Sequence, residues 1–397
     1  MKNLLFISSY PFPLDMGSNQ HAYFFIKALS HHFNIYCVFF IAPNKLPFLD
    51  TDQKLSDLNI KDYRLCYFRT PSRHKKIAYL FKRIISFPNY YMHLAKNPQG
   101  LKTINECVRR YSIDIIHFEH FHYTRYAFNM KSNIKKVIVY HDLHHSIYKQ
   151  QMRFEKKYYT KFVIFAEFIK FYVFERLLET CIDAKIFLNP IEMLSLPKNA
   201  IYIPHIVNPK IKFKDTRNTK SYNILFLGGY SHPPNRIAFK FIIEKILPQL
   251  VQKTNNFKIH IVGADTQNFN ELLSHSKYKG FVTIRGFVED INQVFDDMDI
   301  ALFPILYGGG IKTKVIDAMA AGVPVVTSPQ GVFGLNNLPK NTVGVGTKVE
   351  QILKELNALM DSHSLRLKRA KSGREYIEKQ HSFKIFSEKI RDAYLDF

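Results

Sequence analysis

Between Gly308 and Val326 the chain reads GGGIKTKVIDAMAAGVPVV. Three glycines run into Lys312, Lys314 and Asp317, and then into an uncharged apolar segment. If Ile311 to Ala321 is a helix, Ile311, Val315, Ile316 and Met319 share one apolar face. Gly322 then supplies the stop, and Pro324 opens the next strand. Lysines at a helix start oppose the helix dipole, so a bound anion there would account for them. Gly308, Gly309 and Gly310, with Ile311 and Lys312, would bring the backbone close to such a ligand and offer it N–H groups. The alternative is a surface pair of Lys314 and Asp317 after a flexible turn. Lysine ahead of aspartate is the poorer orientation for that pair. The pattern G-x-x-x-x-G-K-S/T is not met, which excludes a P-loop.

These residues need a scaffold, and 397 residues are too many for one ordinary core. Short β-like runs alternate with helical stretches, the pattern of parallel α/β sheets. In the first half the expected strands are 3–8, 34–40, 63–68, 113–118, 136–141, 184–189 and 200–205. The lysine-rich stretch 208–223 reads as a linker. Alternation then resumes with strands at 224–229, 258–263, 282–287, 300–305 and 323–328. A helix is expected over 235–250, with Pro248 at its frayed end. Two tandem Rossmann-like halves imply ligands at the carboxyl ends of the strands, in a cleft between domains.

Composition narrows the function classes. Four scattered cysteines (Cys37, Cys66, Cys107, Cys181) have no metal spacing and read as reduced, buried thiols of a cytosolic protein. The N-terminus is too briefly apolar for a signal-peptide core, and no run reaches the ~20 residues of a membrane span. The net charge of +23 predicts an acidic partner: nucleic acid, anionic lipid or a phosphorylated substrate. Part of it reflects a general richness in lysine. Residues 1–210 hold 30 Lys and Arg against 15 Asp and Glu, so the excess is concentrated there. Two stretches in that half, 69–87 and 148–176, mix basic, aromatic and aliphatic residues as a membrane-surface helix does, though ordinary domain helices remain the alternative.

The segment GGGIKTKVIDAMAAGVPVVTSPQGVFGL (308–335) resembles the C-terminal signature of retaining glycosyltransferases of family four. FLGGYSHPPNRIAFKFIIEKILP (226–248) is similar to that family's strand, glycines and P-P-N helix start, with Gly228, Gly229 and Tyr230 at the turn. VTIRGFVEDINQVFDDMDIALFPI (282–305) and ISSYPFPLDMGSNQHAYFFIKALS (7–30), with Gly17 in its Pro-rich loop, are similar as well. The resemblance spans nearly the whole chain and is weakest over 41–200. It implies the GT-B fold: two Rossmann-like domains with parallel sheets facing across a cleft. The implied domains are 1–207 for the acceptor, a linker 208–223, 224–380 for the nucleotide-sugar, and a C-terminal helix 381–397 packing back on the first.

The same resemblance implies roles. Asp317 stands where the family usually has a glutamate that binds the ribose hydroxyls. Gly309 stands where many members have a glutamate for the donor sugar. The usual Arg and Lys for the diphosphate are not evident, with only Arg236 and Lys240 nearby, so Lys312 and Lys314 with the 309–312 amides are the expected substitutes. IDIIHFEHFHY (113–123) and VYHDLHHS (139–146) resemble the family's histidine-bearing strand ends. His117, Glu119, His120, His141, Asp142 and His144 are candidates there, with Glu119, His120, His141 and Lys314 expected to be catalytic. Asp297 and Asp299 have the D-x-D spacing of metal-dependent glycosyltransferases but fall between a helix and a strand, and no metal or cofactor is expected.

The expected reaction moves a sugar from a UDP- or GDP-linked donor to a hydroxyl of a glycan or lipid-linked acceptor, with retention, in cell-envelope synthesis. The expected location is cytoplasmic, with peripheral contact to anionic membrane through the basic first domain and no nucleic-acid partner. A nucleotide-sugar epimerase of the same fold, or a basic nucleic-acid-binding protein, are the competing readings.

Overall fold

The computed structural model describes residues 1–12, 17–41, 55–67, 86–87, 98–274 and 276–395. The apolar runs form two separate sheets. The first holds β1 (Asn3–Ser9), β2 (Asn34–Ile41), β3 (Ile60–Tyr67), β4 (Ile115–Phe118), β5 (Lys135–Tyr140), β6 (Ala184–Phe187) and β7 (Ala200–Tyr202), in the order β3-β2-β1-β4-β5-β6-β7. The second holds β8 (Tyr222–Leu227), β9 (Phe257–Val262), β10 (Val282–Gly286), β11 (Ile300–Phe303), β12 (Val325–Thr327) and β13 (Gly344–Val345), in the order β10-β9-β8-β11-β12-β13. Every pairing is parallel. Helices cover the sheet faces, so the central strands are buried on both sides and read as unbroken Leu, Ile, Val and Phe runs. This is the α/β, twin parallel-sheet architecture that the alternation implied.

Strand order reverses beside the first strand of each sheet, at β1–β4 and at β8–β11. Side chains beyond the carboxyl ends of such strands line the crevice where doubly wound sheets take ligands. At the first reversal stand Ser9 and Glu119. At the second stand Gly228 and the loop that leads from β11 to Gly308.

The chain divides into a first unit of residues 1–205 with 384–397, and a second of 206–383. Helix Phe383–Leu395 thus sits almost wholly in the first unit, where Phe386, Ile390 and Tyr394 are buried. Its Phe386 ring lies 5.5 Å from that of Phe25.

The stretch 208–223 is no free tether. Ile211 joins the core of the second unit, and Tyr222 already belongs to β8. The Lys214 N–H donates to Ala321 O (3.0 Å) and the Lys212 N–H to Asn292 Oδ1 (2.9 Å), so its polarity is spent on docking. Gly322, at φ +76°, lies under it: a Cβ there would come within 2.6 Å of Lys214 O.

Pro248 does not end its helix. Helix Pro233–Phe241 widens into a π-turn over Ile242–Ile246 and continues as Leu247–Lys253. Proline lacks an N–H and crowds the carbonyl four residues back, and the wider turn accommodates it. The basic stretch 69–87 lies outside the described residues except for Ser86 and Phe87.

Candidate functional site

In the second unit the signature helix runs Thr313–Ala320, later than expected, because Lys312 is its N-cap with extended backbone (φ −92°, ψ 90°). Gly308 (φ +127°) and Gly310 (φ +61°) turn the preceding loop through conformations that other residues avoid. The loop's carbonyls converge on Lys312, whose Nζ donates to the oxygens of Gly308 (3.3 Å), Gly309 and Gly310 (2.9 Å). Gln330 Nε2 also donates to Gly308 O. Lys312 therefore shapes the glycine loop, a use the sequence did not suggest. Ile311 packs at the edge of the core, and Gly309 is half-buried, its carbonyl one of the acceptors.

Lys314 turns the other way. Its Nζ donates to Asn235 Oδ1 (2.6 Å) and lies over the Phe226 and Phe303 rings at 5.5 and 5.8 Å. Burial, with Lys312 adding to it, pushes its pKa down to about 7. Asp317, one turn on, is half-buried and its carboxylate has no side-chain or backbone donor among the described residues. Burial pushes its pKa up to about 7. The two do not pair, so the surface-pair alternative is excluded: Lys314 is held by Asn235, and Asp317 has no donor among the described residues.

Asn235 ties this lysine to the β8 turn. Its Nδ2 donates to Gly229 O (2.9 Å), and a Cβ at Gly228 would lie 2.6 Å from its side-chain amide. At Gly229 a Cβ would meet Ala264 O at 2.9 Å. Tyr230 packs edge-on against Phe269 (4.9 Å), and Arg236 lies over it (5.4 Å) while donating to Tyr230 O and Ser231 O. Arg236 thus braces the turn, while Lys312 is held by loop carbonyls and Lys314 by Asn235, with no carboxylate paired to either lysine among the described residues.

In the first unit the reversal point carries one carboxylate among three imidazoles. Glu119 is fully buried. Its Oε1 accepts from His21 Nδ1 (2.6 Å) and His141 Nε2 (2.9 Å), and its Oε2 from His117 Nε2 (2.8 Å). His117 Nδ1 in turn meets the Tyr394 hydroxyl, and Phe6 stacks on its ring at 4.2 Å. Burial alone would raise the Glu119 carboxyl, but the His21 ring and the bonds from His117 and His141 outweigh it and hold it well below the usual range. Burial lowers His21 and His117. The His21 Nε2 is buried without a partner, which suits a neutral ring protonated at Nδ1. Of the three rings bonded to Glu119, His141 alone is raised: burial opposes its charged form, but Glu119 outweighs that burial.

His141 and its stacked neighbour His120 (5.6 Å between rings) are both partly open to solvent. Burial and the nearby His141 push His120 down to about 3. Its Nδ1 faces the Ser9 N–H (3.4 Å), so the neutral ring presents an N–H at Nε2. The open side thus offers a ring whose charged form Glu119 favours, beside a neutral hydrogen-bond donor. Glu119→Gln should lower the His141 pKa, because it removes the charge that raises it. Titration of the His141 ring resonance by NMR measures this, and an unchanged pKa contradicts the assignment.

Two expected members stand apart. His144 is sandwiched between Phe121 (4.4 Å) and Phe171 (4.9 Å) and pushed to about 3 by burial, so it packs the core and does not join Glu119. Asp142 follows His141 at the strand end and makes no bond to the cluster. Gly17 opens the helix Gly17–Leu29 that carries His21. Of the D-x-D pair, Asp299 is held by Arg217 (2.8 and 3.0 Å) and the Asn223 N–H, and Asp297 by Arg285 (2.9 Å). Among the described residues, the set whose atoms could hold a metal is His21, Glu119 and His141, within 4.8 Å of one another. Each would have to exchange a hydrogen bond of 2.6–2.9 Å for the ion.

Residues 221–362, which carry the glycine loop, Lys314 and Asp317, match the family model described as glycosyl transferases group 1. This stretch is a group 1 glycosyl transferase domain. Solved structures agree over the whole chain. Sucrose-phosphate synthase from Thermosynechococcus elongatus is 14% identical with a TM-score of 0.72, covering 100% of this chain and 99% of that one. Anabaena Alr3699/HepE in complex with UDP and glucose is 11% identical with a TM-score of 0.64, covering 100% of both chains. These likenesses show the GT-B fold. A Klebsiella pneumoniae protein described as an uncharacterized 44.6 kDa protein in the cps region is 25% identical over 194 residues, 47% of this chain and 50% of that protein. The chain therefore spans about half the length of that curated relative.

Within the glycosyl transferase domain, sequence reasoning passed over Asn235, visible only as the end of a P-P-N helix start. In the first unit it passed over His21 and Tyr394. A histidine at the head of the apolar stretch HAYFFIKAL (21–29) was a signal of a kind. Tyr394 gave none, since its partner His117 is 277 residues away.

Proposed function

We propose that this protein is a retaining glycosyltransferase that moves a sugar from a nucleoside diphosphate donor, UDP- or GDP-linked, to a hydroxyl of a glycan or lipid-linked acceptor. The observation that carries this reading is Asp317: a half-buried carboxylate without a partner among the described residues, one turn from a half-buried lysine at the start of a helix. A diphosphate at that helix start would meet the free Thr313 and Lys314 N–H groups and the Lys314 ammonium. An ionised Asp317 would accept hydrogen bonds from both ribose hydroxyls. As the bond from the anomeric carbon to the phosphate oxygen breaks, Lys314 stabilises the charge that gathers on phosphate. The acceptor oxygen bonds to that carbon on the same face, and its proton passes to the departing phosphate. Lys314 and the helix start supply the positive charge that a metal would otherwise bring, so the reaction proceeds without one. His141 and His120 at the first unit's strand ends provide the hydrogen bonds that orient sugar hydroxyls.

The group 1 glycosyl transferase match supports transfer. The UDP and glucose held by Alr3699/HepE support a nucleotide-sugar donor. The cps-region relative supports a role in bacterial cell-envelope polysaccharide or glycolipid synthesis. The test is thermal melting with UDP, GDP and ADP, each with excess chelator. One nucleotide should raise Tm, by several degrees at ~100 times its Kd. No shift with any nucleotide, or a shift only when metal is restored, would sink the corresponding part of the reading. Sugar isomerised without an acceptor would indicate an epimerase instead.

A further inference from the structure

Helix Tyr158–Leu178 carries apolar side chains on its exposed side as well as its buried one. Its inner face, including Val163, Ile164, Phe171, Phe174 and Leu178, is buried in the first unit. A surface helix with such an inner face ordinarily turns a polar face outward. Here Tyr158, Phe162, Phe165, Ile169 and Tyr172 succeed one another at alternating spacings of four and three, forming one exposed row. Tyr159, Val173 and Leu177 widen it to roughly half the helix circumference. Tyr158 is 90% exposed and Phe162 63%, so these rings stand clear of the protein. A continuous exposed apolar surface of this kind marks a contact surface.

The charges around the row say what covers it. From Lys149 to Leu178 the exposed charged residues are Lys149, Arg153, Lys156, Lys157, Lys161 and Arg176, all basic. The acids of the same stretch turn inward or are used locally. Glu167 is buried with Lys170 (3.1 Å), Glu175 is buried with His145, and Glu155 accepts from the Lys157 N–H (2.8 Å). Tyrosines lie beside the basic residues at both ends, and phenylalanine and isoleucine fill the middle. That is the order in which a bilayer interface changes from headgroup to acyl chain and back along a helix lying in it. No helix among the described residues is long and apolar enough to cross a membrane, so this one would lie along the surface.

We infer that helix Tyr158–Leu178 docks the protein on an anionic lipid bilayer, its aromatic row entering the headgroup boundary and its lysines meeting lipid phosphates. A second copy of the chain is a poorer occupant. A two-fold contact centred on this row would bring Lys157 and Lys161 of one copy toward Arg176 of the other, like charges that an anionic surface would instead attract. The inference does not depend on which sugar is transferred.

The experiment is flotation of the full chain with vesicles of phosphatidylglycerol and phosphatidylcholine, against phosphatidylcholine alone. Wild type should float with the anionic vesicles and be largely released by high salt. Phe162→Ser with Phe165→Ser should weaken binding roughly tenfold or more, and Lys157→Gln with Lys161→Gln should do the same and blunt the salt dependence. All substituted residues are exposed, so Tm should hold, and the nucleotide-induced rise in Tm should match wild type. Binding unchanged in both variants, or equal binding to neutral vesicles, overturns the inference. So does a wild-type dimer that the phenylalanine variant converts to monomer.

Discussion

Lys314→Ala is expected to cut turnover by about a hundredfold to a thousandfold, the usual cost of removing one preorganised group that meets developing charge. The side chain already stands in place, fixed by Asn235 and by the Phe226 and Phe303 rings, so little reorganisation is needed when phosphate charge appears. With a pKa near 7, it is only partly charged in the empty site at neutral pH. An arriving diphosphate favours the charged form and raises that pKa, and binding therefore takes up a proton. Donor affinity should be greatest below pH 7 and fall as pH rises above it, as long as Asp317 is considered separately. The variant should lose that alkaline fall along with its activity. Stability should hold or rise, because a base whose folded pKa lies below its unfolded value destabilises the fold at neutral pH. Lys314→Met keeps the volume and should behave alike. Activity and Tm measured side by side check this, and full turnover in either variant removes Lys314 from the mechanism.

Asp317→Asn should weaken nucleotide binding by about tenfold to a hundredfold, since hydrogen bonds to a charged acceptor contribute roughly 1.5–3 kcal/mol. The same substitution should stabilise the empty protein. Burial raises the Asp317 carboxyl to about 7 in the folded state, above its unfolded value, so the folded state binds more protons between the two. The destabilisation is therefore absent below pH ~4, grows through the interval, and is complete above pH ~7. Because the group is half-buried, the gain for asparagine at pH 8 is about 1–2 kcal/mol, less than the full shift implies. Urea denaturation of both proteins at pH 8 and near pH 4 checks the sign, and calorimetric titration with the nucleotide checks the affinity. An asparagine variant that binds as tightly as wild type removes the ribose role.

Neighbouring residues show why some features were legible and others not. The strands were legible because a parallel sheet buries both faces and leaves unbroken apolar runs such as NLLFIS and IALFPI. The glycine–lysine–aspartate segment was legible because helix start, stop and face are local properties of twenty residues. What those lysines do was not. Both follow the same glycines, yet Lys312 folds back onto loop carbonyls while Lys314 crosses to Asn235, 79 residues earlier. The linker at 208–223 misled for a related reason: its polar groups are satisfied by Ala321 and Asn292, partners that composition cannot display.

By itself, then, the sequence determined the twin parallel sheets, the glycine–lysine helix start and the family resemblance, because these rest on periodicity and short-range spacing. Only the tertiary structure decided how the charges are shared. It drew His21, His117 and His141 onto Glu119 from one helix and two strand ends, and closed the set with Tyr394 from the last helix. It also left the Asp317 carboxylate without a partner. Protonation depends on burial and on neighbours a few ångströms away, and those distances exist only once the chain has folded.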